Sequence, residues 1–132
     1  MKKNLLVVED DSGLRRYFVI LLEQMGYNVM SSPNGADALA LLTKDNDFHL
    51  VITDINMPIM TGIEMIEEIG KKGINIPVCA VSGLNDDTII TKLKELGCRD
   101  FLRKPVSCSE LTQRVRTILE RGEHSRYRKS SA

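Results

Sequence analysis

Short apolar runs alternate with longer helix-patterned segments from one end of this sequence to the other. Leu5-Leu6-Val7-Val8, Leu50-Val51-Ile52-Thr53 and Val78-Cys79-Ala80-Val81 are continuous rather than alternating in polarity. Strands of that kind are buried on both faces, which requires helices above and below a parallel sheet. The alternation predicts strands near 4–8, 27–31, 49–53, 77–81 and 100–103, with helices near 13–25, 35–45, 63–71, 86–96 and 108–120. The fold class is therefore α/β, a doubly wound five-stranded parallel sheet with five helices.

Local signals support the helices. Leu14, Phe18, Leu21, Leu22 and Met25 recur at helical spacing, with Ser12 as the expected N-cap and Gly26 just past the end. Asn34-Gly35, Asn85-Asp86 and Ser107 offer side-chain acceptors at the starts of the second, fourth and fifth helices, and Gly73 and Gly97 stop the third and fourth.

Acidic residues stand where the first and third strands run out. Glu9-Asp10 follow Val8, and Asp54 follows Thr53. In neighbouring parallel strands these carboxylates meet beyond the carboxyl ends, where open α/β sheets bind ligands. Their mutual repulsion calls for a cation. Glu9, Asp10 and Asp54, with the backbone carbonyl of Asn56, form an all-oxygen set suited to Mg²⁺, a hard ion that bridges carboxylate and phosphate. Asp54 is the expected phosphoryl acceptor, since carboxylates are competent nucleophiles. Lys104, before Pro105, would neutralise the developing charge, and an X-Pro bond makes a cis turn affordable there. Ser82 offers a hydroxyl to a phosphoryl oxygen, Gly83 leaves its loop room to move, and Phe101 could fill the space behind it. Read alone, Phe101 is core, and so are Met57, Met60 and Met65.

Bulk properties fit one soluble domain. The chain has 132 residues, 42% hydrophobic and 27% charged, enough for a single core. Its zero formal charge hides an asymmetry. Four basic residues against one acidic give residues 121–132 a charge of +3, which leaves residues 1–120 at −3. A mildly acidic body argues against nucleic acid as its direct ligand. The apolar stretch after Lys2-Lys3 is too short for a secretion signal, and no run approaches a membrane span, so the expected location is the cytoplasm. Cys79, Cys98 and Cys108 lack metal-binding spacing and read as reduced thiols in or near the core.

Taken in order, these residues resemble the receiver domain of bacterial two-component response regulators, from about Lys3 to Glu120. The resemblance is carried by Val7-Val8-Glu9-Asp10-Asp11, by Asp54-Ile55-Asn56-Met57-Pro58 with Gly62 following, by Ser82, by Phe101 and by Lys104-Pro105. It implies a flavodoxin-like, chemotaxis-regulator-like fold with strand order 2-1-3-4-5. It also implies Mg²⁺-dependent phosphotransfer from a sensor histidine kinase or histidine phosphotransfer protein to Asp54, a switch through Ser82 and Phe101, and autodephosphorylation. A downstream effector protein or output domain would read the switch.

Some positions depart from the common family forms. Glu9 stands where Asp is frequent, Thr61 precedes Gly62 where Asp is frequent, Ser82 replaces threonine, and Phe101 lacks a tyrosine hydroxyl. A phosphorylation-dependent dimer is also implied by the resemblance, but Arg99, Arg103 and Val106 weaken that reading. The expected organisation is a receiver domain over 1–121, followed by a flexible basic tail or the start of a linker over 122–132. The chain is then a phosphoacceptor switch, either complete or the receiver fragment of a larger regulator. A Mg²⁺-dependent phosphohydrolase is disfavoured because Asn56 stands where a second carboxylate would act as acid. A nucleotide- or flavin-binding domain is disfavoured because Glu9-Asp10-Asp11 replace the glycine-rich loop that would cradle phosphate.

Overall fold

A computed structural model of the chain describes residues 2–45, 47–83 and 87–130, with side chains as far as Arg121. The elements run β1 (Asn4–Val8), α1 (Ser12–Gln24), β2 (Asn28–Ser32), α2 (Gly35–Lys44), β3 (Leu50–Asp54), α3 (Gly62–Lys71), β4 (Val78–Ser82), α4 (Asp87–Glu95), β5 (Asp100–Arg103) and α5 (Cys108–Ser130). All strand pairs are parallel, in the order β2-β1-β3-β4-β5. This is the expected class and order.

Successive side chains of a strand point to opposite faces, and the core divides accordingly. Leu6, Val8, Val51 and Ala80 face Ala38 and Leu42 of α2, Met65, Ile66 and Ile69 of α3, and Leu93 of α4. Leu5, Val7, Ile52, Cys79 and Val81 face Phe18, Leu21 and Leu22 of α1 and Leu111, Val115 and Ile118 of α5. Each large apolar side chain so buried contributes about 1.5–3 kcal/mol. Two packed layers therefore hold the sheet rigid beneath its carboxyl edge. Met57 and Met65 are buried, in keeping with a packing role.

Differences from the sequence expectation lie at element ends. Strands β2, β3 and β4 begin and end one residue later than expected, so Asp54 and Ser82 belong to the sheet rather than to the loops beyond it. The ladder continues past the apolar runs: Ile55 N–H donates to Val81 O at 3.2 Å and Lys104 N–H to Ser82 O at 2.9 Å. Helix α1 is capped by Asp11, not Ser12, because the Asp11 carboxylate accepts the Leu14 N–H at 3.0 Å. Asn34 caps α2 as expected, and Ser107 and Glu110 bond reciprocally at the start of α5. Gly26, Gly73 and Gly97 follow α1, α3 and α4 at φ of 96°, 69° and 88°, a conformation that costs glycine little. Helix α5 runs to Ser130, beyond the expected end at residue 120. Asn85 and Asp86, the expected start of the fourth helix, lie outside the described residues. Cys79 and Cys98 are buried, whereas Cys108 is exposed on the first turn of α5, where no core packs against it.

Candidate functional site

Strand register builds the site. Val8 of β1 lies beside Thr53 of β3, so the chain leaving β1 passes next to the end of β3. Carboxylate oxygens of Glu9, Asp10 and Asp54 come within 4.8 Å of one another. Asp10 is exposed, whereas Glu9 and Asp54 are buried, at 1% and 5% exposure. Two full charges at that separation repel by on the order of 3 kcal/mol at an effective dielectric near 20. Among the described residues, the Lys104 ammonium answers them directly. Lys104 Nζ lies 3.1 Å from Glu9 Oε1 and 3.3 Å from Asp54 Oδ2.

Glu9 is held on several sides. Its N–H donates to Ser32 O at 3.1 Å, its Oε2 accepts from Asp11 N–H at 3.1 Å, and its main-chain carbonyl accepts from Arg15 Nη1 at 2.8 Å. Its remaining oxygen, Oε1, is buried and faces the Lys104 ammonium at 3.1 Å, with no other polar partner among the described residues. Burial pushes the Glu9 carboxyl above its usual range, the Asp11 amide opposes that, and the charge of Asp54 adds to it. For Lys104, burial alone would favour the neutral amine, but the Glu9 and Asp54 carboxylates prevail and raise its pKa.

Asp54 is fixed by its own neighbours. Oδ1 accepts the Ile55 N–H at 2.8 Å, and Thr53 Oγ1 donates to the Asp54 carbonyl at 2.8 Å. Behind it, α3 begins with Thr61 and Glu64 in a reciprocal capping box, and Gly62 N–H donates to Ile55 O at 2.9 Å. A β-carbon on Gly62 would stand 2.5 Å from Asp54 O and 2.9 Å from Ile55 Cα. Only glycine lets the helix start approach so closely.

The other expected residues lie on the strands and turns leading to this edge. Asn56 is exposed in the turn two residues beyond Asp54, and Ser82 is half-buried at the end of β4. Phe101 is half-buried on β5, packed against the α2–α3–α4 side of the core. The Lys104–Pro105 peptide is cis. Sequence reasoning missed Arg15 and the Ser32 carbonyl, both of which hold Glu9. A basic residue four positions after Asp11 in an otherwise acidic entry to α1 is the signal that could have found the first; a backbone carbonyl on another strand leaves none.

The chain matches the response regulator receiver domain family over residues 5–116. It belongs to that family. Among curated relatives, this receiver domain is 36% identical to "Probable transcriptional regulator ycf27" of Galdieria sulphuraria, over 91% of the present chain and 46% of the relative. It is 38% identical to "Transcriptional regulatory protein CpxR homolog" of Haemophilus influenzae, over 89% of the chain and 50% of the relative. The chain thus spans about half the length of the curated relatives it matches. A crystal structure of a CheY-like receiver domain protein from Methanospirillum hungatei superposes with a TM-score of 0.89 at 25% identity, covering 95% of this chain and 99% of that one. A receiver domain from Clostridium thermocellum gives 0.84 at 30% identity, covering 92% and 97%.

Receiver domains are switches of two-component signalling rather than classical enzymes, and response regulators work with histidine kinases and output effectors. Among the described residues, no helix is long and apolar enough to cross a membrane.

Proposed function

We propose that this receiver domain takes a phosphoryl group onto Asp54 from a phosphohistidine of a sensor kinase or phosphotransfer protein, and passes the change to an effector. The observation that carries the reading is the convergence of Glu9, Asp10 and Asp54 with Lys104 at one edge of the sheet. The donor set is all oxygen, and the buried Glu9 Oε1 faces only the Lys104 ammonium, which leaves it open to a hard cation. Glu9, Asp10, Asp54 and the Asn56 carbonyl are the groups that would hold Mg²⁺. When bound, the ion neutralises charge on the carboxylates and the transferring phosphoryl group.

The protein's own residues do the rest. A carboxylate oxygen of Asp54 attacks phosphorus as the P–N bond of the donor breaks; the bonding pair stays on that nitrogen, and the ring, protonated on its other nitrogen, leaves as neutral imidazole while the acyl phosphate forms. Lys104 turns from the Asp54 carboxylate to the new phosphoryl oxygens. Ser82 donates its hydroxyl to one of them, drawing in the loop after β4, and Phe101 follows into the vacated space. Water later hydrolyses the acyl phosphate and resets Asp54. The switch comprises the sheet and the helices around it, and the part of α5 beyond Arg121 leads away from it toward an output segment.

The transcriptional regulators it resembles are about twice its length, which supports an output acting on transcription in the whole protein. The test is incubation with a small-molecule phosphodonor and Mg²⁺, followed by intact mass. Wild type should gain one phosphate and Asp54→Ala none; equal labelling of both would refute the assignment.

A further inference from the structure

Glu9 offers four polar backbone and side-chain atoms: Oε1 faces the Lys104 ammonium, and the other three are held by hydrogen bonds. Its N–H is tied to the Ser32 carbonyl and its Oε2 to the Asp11 amide, both backbone groups fixed by the fold. The third tie is a side chain. Arg15, half-buried on the first turns of α1, reaches back six residues so that Nη1 donates to the Glu9 carbonyl at 2.8 Å. Among the described residues Arg15 pairs with no carboxylate, so this carbonyl is its partner.

The Glu9 carbonyl belongs to the peptide unit that joins Glu9 to Asp10. A peptide unit is planar, so fixing its oxygen fixes the plane and with it the direction in which Asp10 leaves. Both residues bring a carboxylate to the cluster. Released, the plane can rotate about the flanking dihedrals and swing Asp10, the exposed member, away from Glu9 Oε1 and Asp54.

We infer that Arg15 is a positioning residue for the cation site: its hydrogen bond to the Glu9 carbonyl holds the two neighbouring acidic ligands in register. The inference rests on the reading of Glu9, Asp10 and Asp54 as that site. It also makes a prediction opposite in sign to simple electrostatics. A guanidinium beside an acidic pocket repels an incoming cation, so if charge were its only effect, removing Arg15 would tighten binding. If it positions the ligands, removing it weakens binding, as loss of groups that orient metal ligands does, typically by about 10–100-fold.

The test is titration of the whole chain with Mg²⁺ alone, followed by amide resonances, for wild type, Arg15→Met and Arg15→Lys, with melting temperatures taken in chelator. Arg15→Met should raise the dissociation constant about tenfold while its melting temperature without cation stays within a few degrees of wild type. Arg15→Lys, which keeps a donor on a flexible stem, should fall between the two. Equal or tighter binding by Arg15→Met would overturn the inference, as would Arg15→Lys binding no better than Arg15→Met. Were wild type to bind no Mg²⁺, the reading of the site itself would fail, which is a separate result.

Discussion

The ammonium of Lys104 lies closer to Glu9 than to Asp54, 3.1 Å from Glu9 Oε1 against 3.3 Å from Asp54 Oδ2. The lysine therefore serves as counter-ion to the buried Glu9 as well as to Asp54. One ammonium among three carboxylates leaves an excess of negative charge, and Glu9 carries its buried share.

Glu9→Gln should accordingly stabilise the cation-free protein near neutral pH, read as a rise in melting temperature. Because burial raises the Glu9 pKa above 4.5, the folded state keeps this proton at pH values where the unfolded chain has lost it. Its contribution to stability is then most favourable below pH 4.5 and declines as pH rises through the folded-state value. Melting curves across that range should show a shallower decline for Glu9→Gln, and added Mg²⁺ should raise the wild-type midpoint more than that of the variant.

Gly62 packs the start of α3 on the backbone of Asp54 and Ile55. Gly62→Ala puts a methyl group 2.5 Å from the Asp54 carbonyl, a clash with backbone that no rotamer relieves. The substitution should cost about 1–3 kcal/mol in urea unfolding and slow phosphate uptake by displacing Asp54. Unchanged uptake would show that the turn tolerates the shift.

The thiols should separate cleanly by burial. Burial pushes Cys79 up to about 12 and Cys98 up to about 11, and Cys98 Sγ donates to Val78 O at 3.3 Å. Native protein treated with iodoacetamide at pH 8 should be modified at Cys108 alone, with all three sites reacting after unfolding. Since both folded-state values exceed the ordinary 9.0, these thiols favour the fold fully below that pH, and the contribution fades as pH climbs toward 11 and 12.

At the opposite end of the sheet, Asp100 opens β5 almost buried, paired with Arg121 and 3.9 Å from Arg114, both on α5. Both arginines are more than a third exposed, so solvent screens the pairs. Asp100→Ala should still cost about 1–2 kcal/mol, because it leaves two cations against a buried strand end. Chemical denaturation checks the size, and phosphate uptake should be unaffected.

Much of this was legible in the chain because it depends on local pattern. The apolar runs fixed the parallel sheet, and three acids at two strand ends fixed where the site would lie. What the pattern could not show depends on partners distant in sequence. Asp54 and Ser82 joined the sheet because neighbouring strands extend their hydrogen bonds past the apolar runs. Asp11 rather than Ser12 caps α1, a choice between two adjacent acceptors that only geometry decides. The pairing of Lys104 with Glu9 joins residues just past the first and last strands of the chain. Arg15 reads in sequence as one more charge on an exposed helix face, yet its length and direction aim it at a carbonyl.

The central claim is that phosphate arrives on residue 54 and nowhere else. After treatment with a phosphodonor and Mg²⁺, borohydride reduces an acyl phosphate of aspartate to homoserine, which peptide mass mapping locates. Homoserine at position 54 alone, absent when Mg²⁺ is chelated, is the expected result; homoserine at position 10, or a fully phosphorylated protein with Asp54 unreduced, would contradict it.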